Sequence, residues 1–347
     1  MRPSRMLSAL RVAMAGGLLA CSSENAGSPP PAPIDWHSFD VPHGAAAVPP
    51  GPTPRERAVA EAYVGILGSP DLGTLQAHLA GDVHFAFPGL PEGRGKDSVV
   101  RSHETLFGAF DQRTMRIMRL WRTDSVQALE WTLTGVQARE WMGAPPTGKP
   151  VAFKGLTVLF TQDDGTISDV HIYFDVAVVK TQLGVGPKGL VAPPPAASSS
   201  GPPEELGQNH GLDEANNVLV ARATIDALEK NDEAAYGATM TDDVVLETLD
   251  RAQPMRGREE ERAWFRAMHR AIGLLDTTLG GAWGVTRYAV AEYFIAGEQT
   301  GPLGWVPMQK DKVVRLQVAD VMEIRDGKVD HIWRYDNLAQ IAPGAGP

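Results

Sequence analysis

Cys21 is the only cysteine in the sequence. No disulfide can therefore form within the chain, and its domains must stand on their apolar cores even in an oxidising compartment. Basic residues are outnumbered, with 32 Lys and Arg against 42 Asp and Glu, for a formal net charge of −10. This balance argues against nucleic acid as a partner, because phosphates need a basic face. It also leaves no polybasic patch for anionic lipid heads. Metal motifs are missing: there is no H-E-x-x-H, no cysteine pair, and the nine histidines are scattered. No metal site is expected on that basis. No glycine loop follows a strand and opens a helix in the way a nucleotide cofactor needs, so no cofactor is expected either.

What is present begins with Arg2, Arg5 and Arg11 flanking a short apolar run, Val12 to Ala20. A charged start followed by a run too short to span a bilayer reads as an export signal. The run ends Leu18-Leu19-Ala20-Cys21, which resembles the bacterial lipobox. That resemblance implies that Cys21 is lipidated and becomes the mature N-terminus. The other reading is an ordinary signal peptide with an incidental cysteine. Ser22 stands where the usual inner-membrane retention signal would place aspartate. The expected location is therefore the cell envelope, lipid-anchored in the outer membrane and facing the periplasm, with no other membrane contact. Two stretches rich in Pro, Ser, Ala and Gly read as a tether (22–54) and a linker (185–212). They leave a signal at 1–21 and two domains at 55–184 and 213–341.

The two domains repeat each other. Glu130-Trp131-Thr132-Leu133-Thr134-Gly135-Val136-Gln137 is matched by Glu292-Tyr293-Phe294-Ile295-Ala296-Gly297-Glu298-Gln299. Asp164-Gly165-Thr166-Ile167 is matched by Asp326-Gly327-Lys328-Val329, and the aromatic–acid pair Phe174-Asp175 by Tyr335-Asp336. A period of about 160 residues is domain-sized and far too long for a solenoid. Apolar residues at three- and four-residue steps predict helices over 55–67, 72–79 and 97–110, then over 216–228, 233–240 and 259–272. Alternating strands follow each set. Helices packed on one face of a curved sheet, α+β, are expected in each copy. Two such copies on one chain suit an intramolecular pseudo-dimer.

Gly143 to Phe153, the Asp164-Gly165 turn, Tyr173-Phe174-Asp175 and Gln182-Leu183-Gly184 occur in an order that resembles the SnoaL-like polyketide cyclases of the NTF2-like superfamily. The second copy keeps Gly297-Glu298-Gln299-Thr300-Gly301, Asp326-Gly327, Trp333 and Asp336. The resemblance implies two tandem cones, each a strongly bent mixed sheet around three helices with an apolar pocket at its open end. It further implies that an aspartate on the last long strand removes a proton beside a carbonyl. Asp175 and Asp336 align with that aspartate. Gln137 and Gln299 stand where the family has a histidine.

The residues themselves leave alternatives open. On a strand, His171, Tyr173 and Asp175 share a face. In an apolar cone Asp175 would be a general base, with Tyr173 bonding an oxyanion and His171 orienting the carboxylate. The alternative is a strand-end aspartate that caps a turn. Asp336 has Arg334 on its face, which would lower its pKa and weaken it as a base. Gln137 and Gln299 either bind ligand or satisfy backbone groups. His84, whose counterpart is Val245, is either ligand-facing or structural. Trp131 is core or pocket wall, as are Trp141, Trp305 and Trp333. The first copy is thus expected to hold the competent pocket. The first functional reading is a tethered module that binds an apolar or amphipathic small molecule. The alternatives are a cyclase-, isomerase- or lyase-like enzyme with Asp175 as base, and an envelope interaction scaffold.

Overall fold

The computed structural model describes residues 54–191 and 201–342. The signal, Cys21, nearly all of the tether and part of the linker lie outside the described residues. Helix α1 (Pro54–Gly68) buries Ala60, Tyr63, Val64 and Leu67, the three- and four-residue stripe visible in the sequence. A 3-10 helix (Leu72–His78), β1 (Leu79–Ala86), β2 (Gly93–Arg94) and α2 (Lys96–Phe107) follow. Four strands and a helix complete the first copy: β3 (Phe110–Arg122), β4 (Val126–Gln137), β5 (Pro150–Thr161), β6 (Ile167–Tyr173) and α3 (Val176–Gln182). The second copy repeats the order from α4 (Leu212–Glu229) and α5 (Glu233–Ala238). It continues through β8 (Met240–Thr248), β9 (Met255–Arg256), α6 (Arg258–Ala271), β10 (Ile272–Val285), β11 (Tyr288–Gln299), β12 (Val313–Arg325) and β13 (Lys328–Tyr335). A 3-10 helix (Leu338–Gln340) stands in the place of α3.

Each copy is α+β, a mixed sheet with helices on one side. With β7 (Glu204–Gly207) from the linker, the strand orders are β2-β1-β6-β5-β4-β3-β7 and β10-β11-β12-β13-β8-β9. The parallel pair is β1 with β6 in one sheet and β8 with β13 in the other. Even the irregularities match. Register shifts fall after Asp111 and Ile117 in β3 and after Gly273 and Leu279 in β10. Gly95 and Gly257, at φ 77° and 86°, each stand at the N-cap of the next helix in a conformation that a side chain would strain. The linker carries one element that its composition does not signal. Strand β7 (Glu204–Gly207) adds in parallel to the edge of the first sheet beside β3. Backbone pairing, which any residue type can supply, recruits a segment that carries no apolar alternation.

Strand β4 explains how the copies meet. Its residues are buried along almost the whole length rather than on alternate positions. Both faces are covered: one by the helices of its own copy, the other by the second copy. Trp131 looks to the helices. Glu130 looks to the second copy, where it accepts a hydrogen bond from Tyr335 Oη at 2.5 Å. The contact recurs with roles exchanged, Tyr173 Oη donating to Glu292 Oε1 at 2.7 Å. Around these polar contacts the first core runs into the second copy through Val285, Tyr288, Val290, Ala319, Val321 and Ala339. Burial raises the Glu130 carboxyl, but Arg119 (Nε to Oε2, 2.6 Å), Lys154 and Tyr335 outweigh it and hold the group below the usual carboxylate range.

Removing one hydroxyl leaves a buried carboxylate short of a donor, at a cost of about 1–3 kcal/mol. Tyr335→Phe and Tyr173→Phe should each lower the unfolding free energy by that amount, read as a lower urea midpoint with little change in m-value. Loss of less than about 0.5 kcal/mol in both variants would show that these contacts do not hold the copies together.

Candidate functional site between the copies

The strand register sets which residues correspond. Glu130 lies opposite Leu156 and Leu156 opposite Tyr173. Glu292 lies opposite Ala319 and Ala319 opposite Tyr335. Tyr173 therefore corresponds to Tyr335, Phe174 to Asp336, and Asp175 to Asn337. The expected pairing of Asp175 with Asp336 is wrong by one residue, because both copies carry an aromatic–acid pair and the pairs sit one step apart. A one-residue slip moves a side chain to the opposite face.

The two cones differ accordingly. Phe174 fills the middle of the first cone, with ring centroids 4.8 Å from Phe87, 5.2 Å from Phe153, 6.0 Å from Phe107 and 6.1 Å from Trp131. Trp131 Nε1 donates to Thr157 Oγ1 at 2.9 Å. Its ring lies over Gly155, where an added Cβ would come within 2.4 Å of it. Trp131 is therefore a packed core residue. In the second cone Thr157 is replaced by Asp320, Ile172 by Arg334 and Trp131 by Tyr293. Arg334 grips Asp320 with two hydrogen bonds, at 2.9 and 2.7 Å, and stacks over Trp264 of α6 at 4.2 Å. Tyr293 Oη donates to Asp320 at 2.9 Å. Glu261 of α6 lies nearby, its carboxyl pushed up to about 7 by burial. The first cone, expected to be the competent one, is filled with aromatic rings. The second holds the charged network.

A cavity of about 590 Å³ opens elsewhere, between the copies. Met118, Arg119, Glu130, Phe153, Lys154, Asp175 and Val178 line it from the first copy, and Glu247, Thr248, Leu249, Arg251 and Trp333 from the second. Both signs of charge face it. Lys154 Nζ meets Glu247 at 3.3 Å, and Arg119 lies 3.8 Å above the Trp333 ring. His331 and Lys154, against the effect of burial, hold the Glu247 carboxyl down at about 2.

Asp175 is the notable wall residue. It is the N-cap of α3, not a strand residue: Oδ1 accepts from the N–H groups of Ala177 at 2.7 Å and Val178 at 3.2 Å. Its other oxygen, Oδ2, is buried. Burial, reinforced by the charge of Asp250, pushes the carboxyl up to about 7 against the pull of the backbone N–H groups of Val178, Ala177 and Leu338. Asn337 lies at the matching N-cap of the second copy. Its Oδ1 accepts from Val176 N at 3.1 Å, reaching across to the start of α3. Asp336 reverses the expectation based on Arg334. That guanidinium is committed to Asp320, so burial and the carboxylates of Asp250 and Asp175 raise Asp336 well above the usual range.

The other candidates lie apart from Asp175. His171 and Tyr173 do share a face, but it is the face toward the second copy, and both contact Glu292 Oε1, at 2.9 and 2.7 Å. They neither orient Asp175 nor line a cone. Gln137 spends its amide on the β4–β5 loop, donating to Ala144 and Pro145 carbonyls and accepting from Thr147. Gln299 does the same with Gly301, Pro307 and Gln309. Both glutamines pin loops and have no amide group left over for a ligand. His84 lies beside Glu92 and Asp169 on the face toward the second copy. Sequence reasoning passed over Glu130, Lys154, Glu247 and Asp250. The signal that could have found Glu130 is a charged residue at one place in an apolar strand of both copies.

Comparison with known proteins follows the same division of the chain. The SnoaL-like polyketide cyclase family matches residues 57–183. The SnoaL-like domain family matches residues 221–332. A comparison with curated proteins finds no match. Similar solved structures each span about one copy. One from Jannaschia sp. CCS1, named as a SnoaL-like polyketide cyclase, is 16% identical and covers 40% of this chain and 100% of its own, at TM-score 0.36. TsrD from Streptomyces laurentii is 22% identical over 39% of this chain and 98% of its own, at TM-score 0.35. An LEH-like epoxide hydrolase from M. tuberculosis is 20% identical over 37% and 88%, at TM-score 0.31. The chain belongs to the SnoaL-like family, as two tandem NTF2-like domains.

Proposed function

We propose that the chain binds a small amphipathic molecule in the cavity between its two domains and that Asp175 exchanges a proton with it. The observation that carries this reading is the buried Asp175 carboxyl in the cavity wall, with a pKa of about 7. A cavity of about 590 Å³ is of ligand size, and it joins apolar wall (Met118, Phe153, Leu249, Trp333) to opposed charges. A carboxylate poised near neutrality suits proton transfer beside a carbonyl. The binding reading needs only the cavity. The cyclase- or isomerase-like reading needs Asp175 as base as well.

The second cone is the other possible location. It is favoured by Arg334 Nη1 and Asp336 Oδ1, which are buried and take no hydrogen bond among the described residues. An aromatic ketone panel, scored for binding and for turnover, tests both places. Asp175→Asn should abolish turnover and leave affinity within about tenfold, because the amide keeps shape but not basicity. The amide oxygen of asparagine can still accept from the Ala177 and Val178 N–H groups, so the cap is kept. If Asp175→Asn changes neither quantity while Arg334→Met abolishes binding, the site is the second cone.

The same group predicts a pH dependence. Below about pH 4 Asp175 is protonated folded or unfolded and costs nothing. As pH rises toward about 7, the folded protein keeps a proton that the unfolded chain has lost, so stability falls, and the full cost is present above that. Asp175→Asn should therefore raise Tm more at pH 8 than at pH 5. An equal shift at both pH values would show that the carboxyl is not raised.

Localisation rests on Cys21, which lies outside the described residues. No helix among the described residues is long and apolar enough to cross a membrane. We infer that Cys21 carries a lipid holding the protein at the envelope, in the outer membrane. Cys21→Ser should move the protein from the membrane to the soluble fraction. Unchanged fractionation would refute the anchor.

A further inference from the structure

A second cluster of chemistry lies on the face of the first sheet toward the other domain, away from the cavity and from Asp175. His84 on β1 pairs across the parallel ladder with Asp169 on β6, and His171 stands two residues further along β6. Alternation in a strand puts Asp169 and His171 on one face, and the β1–β6 register brings His84 beside them. One ligand atom from each of the three lies within 4.8 Å of the other two. His84 Nδ1 and Asp169 Oδ1 are 3.3 Å apart. Ligands bound at about 2.0–2.1 Å to a tetrahedral zinc ion sit about 3.3 Å from one another, so this edge is already formed.

Each histidine also has a carboxylate on one ring nitrogen. His84 Nε2 meets Glu92 Oε2 at 3.2 Å, and His171 Nδ1 meets Glu292 Oε1 at 2.9 Å. A carboxylate on one nitrogen fixes the tautomer and turns the other nitrogen into a lone-pair donor, the arrangement that metal-ligating histidines use. Glu292 is itself fixed by the Tyr173 hydroxyl. The imidazoles are buried while Asp169 is half-buried, which leaves a route for an ion from solvent.

We propose that His84 Nδ1, Asp169 and His171 Nε2 form a divalent transition-metal site, with zinc as its natural occupant. Two imidazoles and one carboxylate suit zinc, and three protein ligands leave a fourth position open to water. Calcium and magnesium, which prefer all-oxygen shells, are poor candidates. Motif reading misses such a site because its ligands come from two strands that lie far apart in sequence and become neighbours only through the ladder.

The test uses the chelator-treated full chain carrying Cys21→Ser, so that its one thiol cannot ligate, titrated with Zn²⁺ by calorimetry and with Co²⁺ by visible absorption. One equivalent of Zn²⁺ should bind at about 1 µM or tighter, and Co²⁺ should show d–d bands of nitrogen and oxygen ligation. His84→Ala and Asp169→Asn should each weaken Zn²⁺ by tenfold or more and remove the bands, with metal-free melting temperatures near the parent's. His171→Ala risks the fold through Glu292, so it is not the deciding variant. Glu292→Gln, which keeps a partner for Nδ1 but not its charge, should weaken Zn²⁺ about tenfold. Binding weaker than about 100 µM in the parent, or unaltered affinity in both His84→Ala and Asp169→Asn, would overturn the site.

Discussion

Two buried carboxylates, each met by a tyrosine from the other domain, are the contact on which the arrangement turns. Glu130 takes the hydroxyl of Tyr335 and Glu292 that of Tyr173. A charge under a sheet is unstable there unless it is paired or hydrogen-bonded. Each carboxylate therefore demands its partner's phenol at one distance and one angle, and apolar packing around it cannot slide without leaving a charge unpaired. The strand burial, the cavity wall and the placement of His171 follow from that registration. Glu130 belongs to the cavity and Glu292 to the histidine cluster, so the same contact, repeated by duplication, borders two different sites.

Duplication supplied matched scaffolds, and single-position replacements made them unlike. Phe174 closes the first cone, and the matching Asp336, like Asp175, has a carboxyl raised by burial and by the charge of Asp250. Ile172 is apolar wall, and the matching Arg334 holds Asp320. Asp175 retains a carboxyl at a helix cap where the second domain has Asn337. The first cone is filled with aromatic rings, and the ionisable groups lie in the second cone and at the seam.

The seam explains why Asp175 is legible in the sequence while its surroundings are not. Asp175 was recognisable from its place after the last long strand. Its partners were misassigned because the alternation that predicts a shared face with His171 and Tyr173 ends where the strand ends. Two residues past Tyr173 the backbone turns into α3, and Asp175 bonds its N–H groups instead. Gln137 and Gln299 were recognisable as a matched pair, but no pattern in the sequence shows that their amides fold back onto their own loops.

By itself the sequence determined the duplication, the α+β class, the order of the long helices and strands and the apolar stripes, because these rest on local periodicity and on turn residues at fixed places. It also carried the Cys21 pattern and the absence of disulfides. Only the tertiary structure decided the one-residue offset between the copies, the charged seam, the filled first cone and the meeting of His84 with Asp169 and His171. Those depend on ladder register and on which sheet face another domain covers. Both are set by contacts between segments far apart in the chain, and local patterning does not encode them.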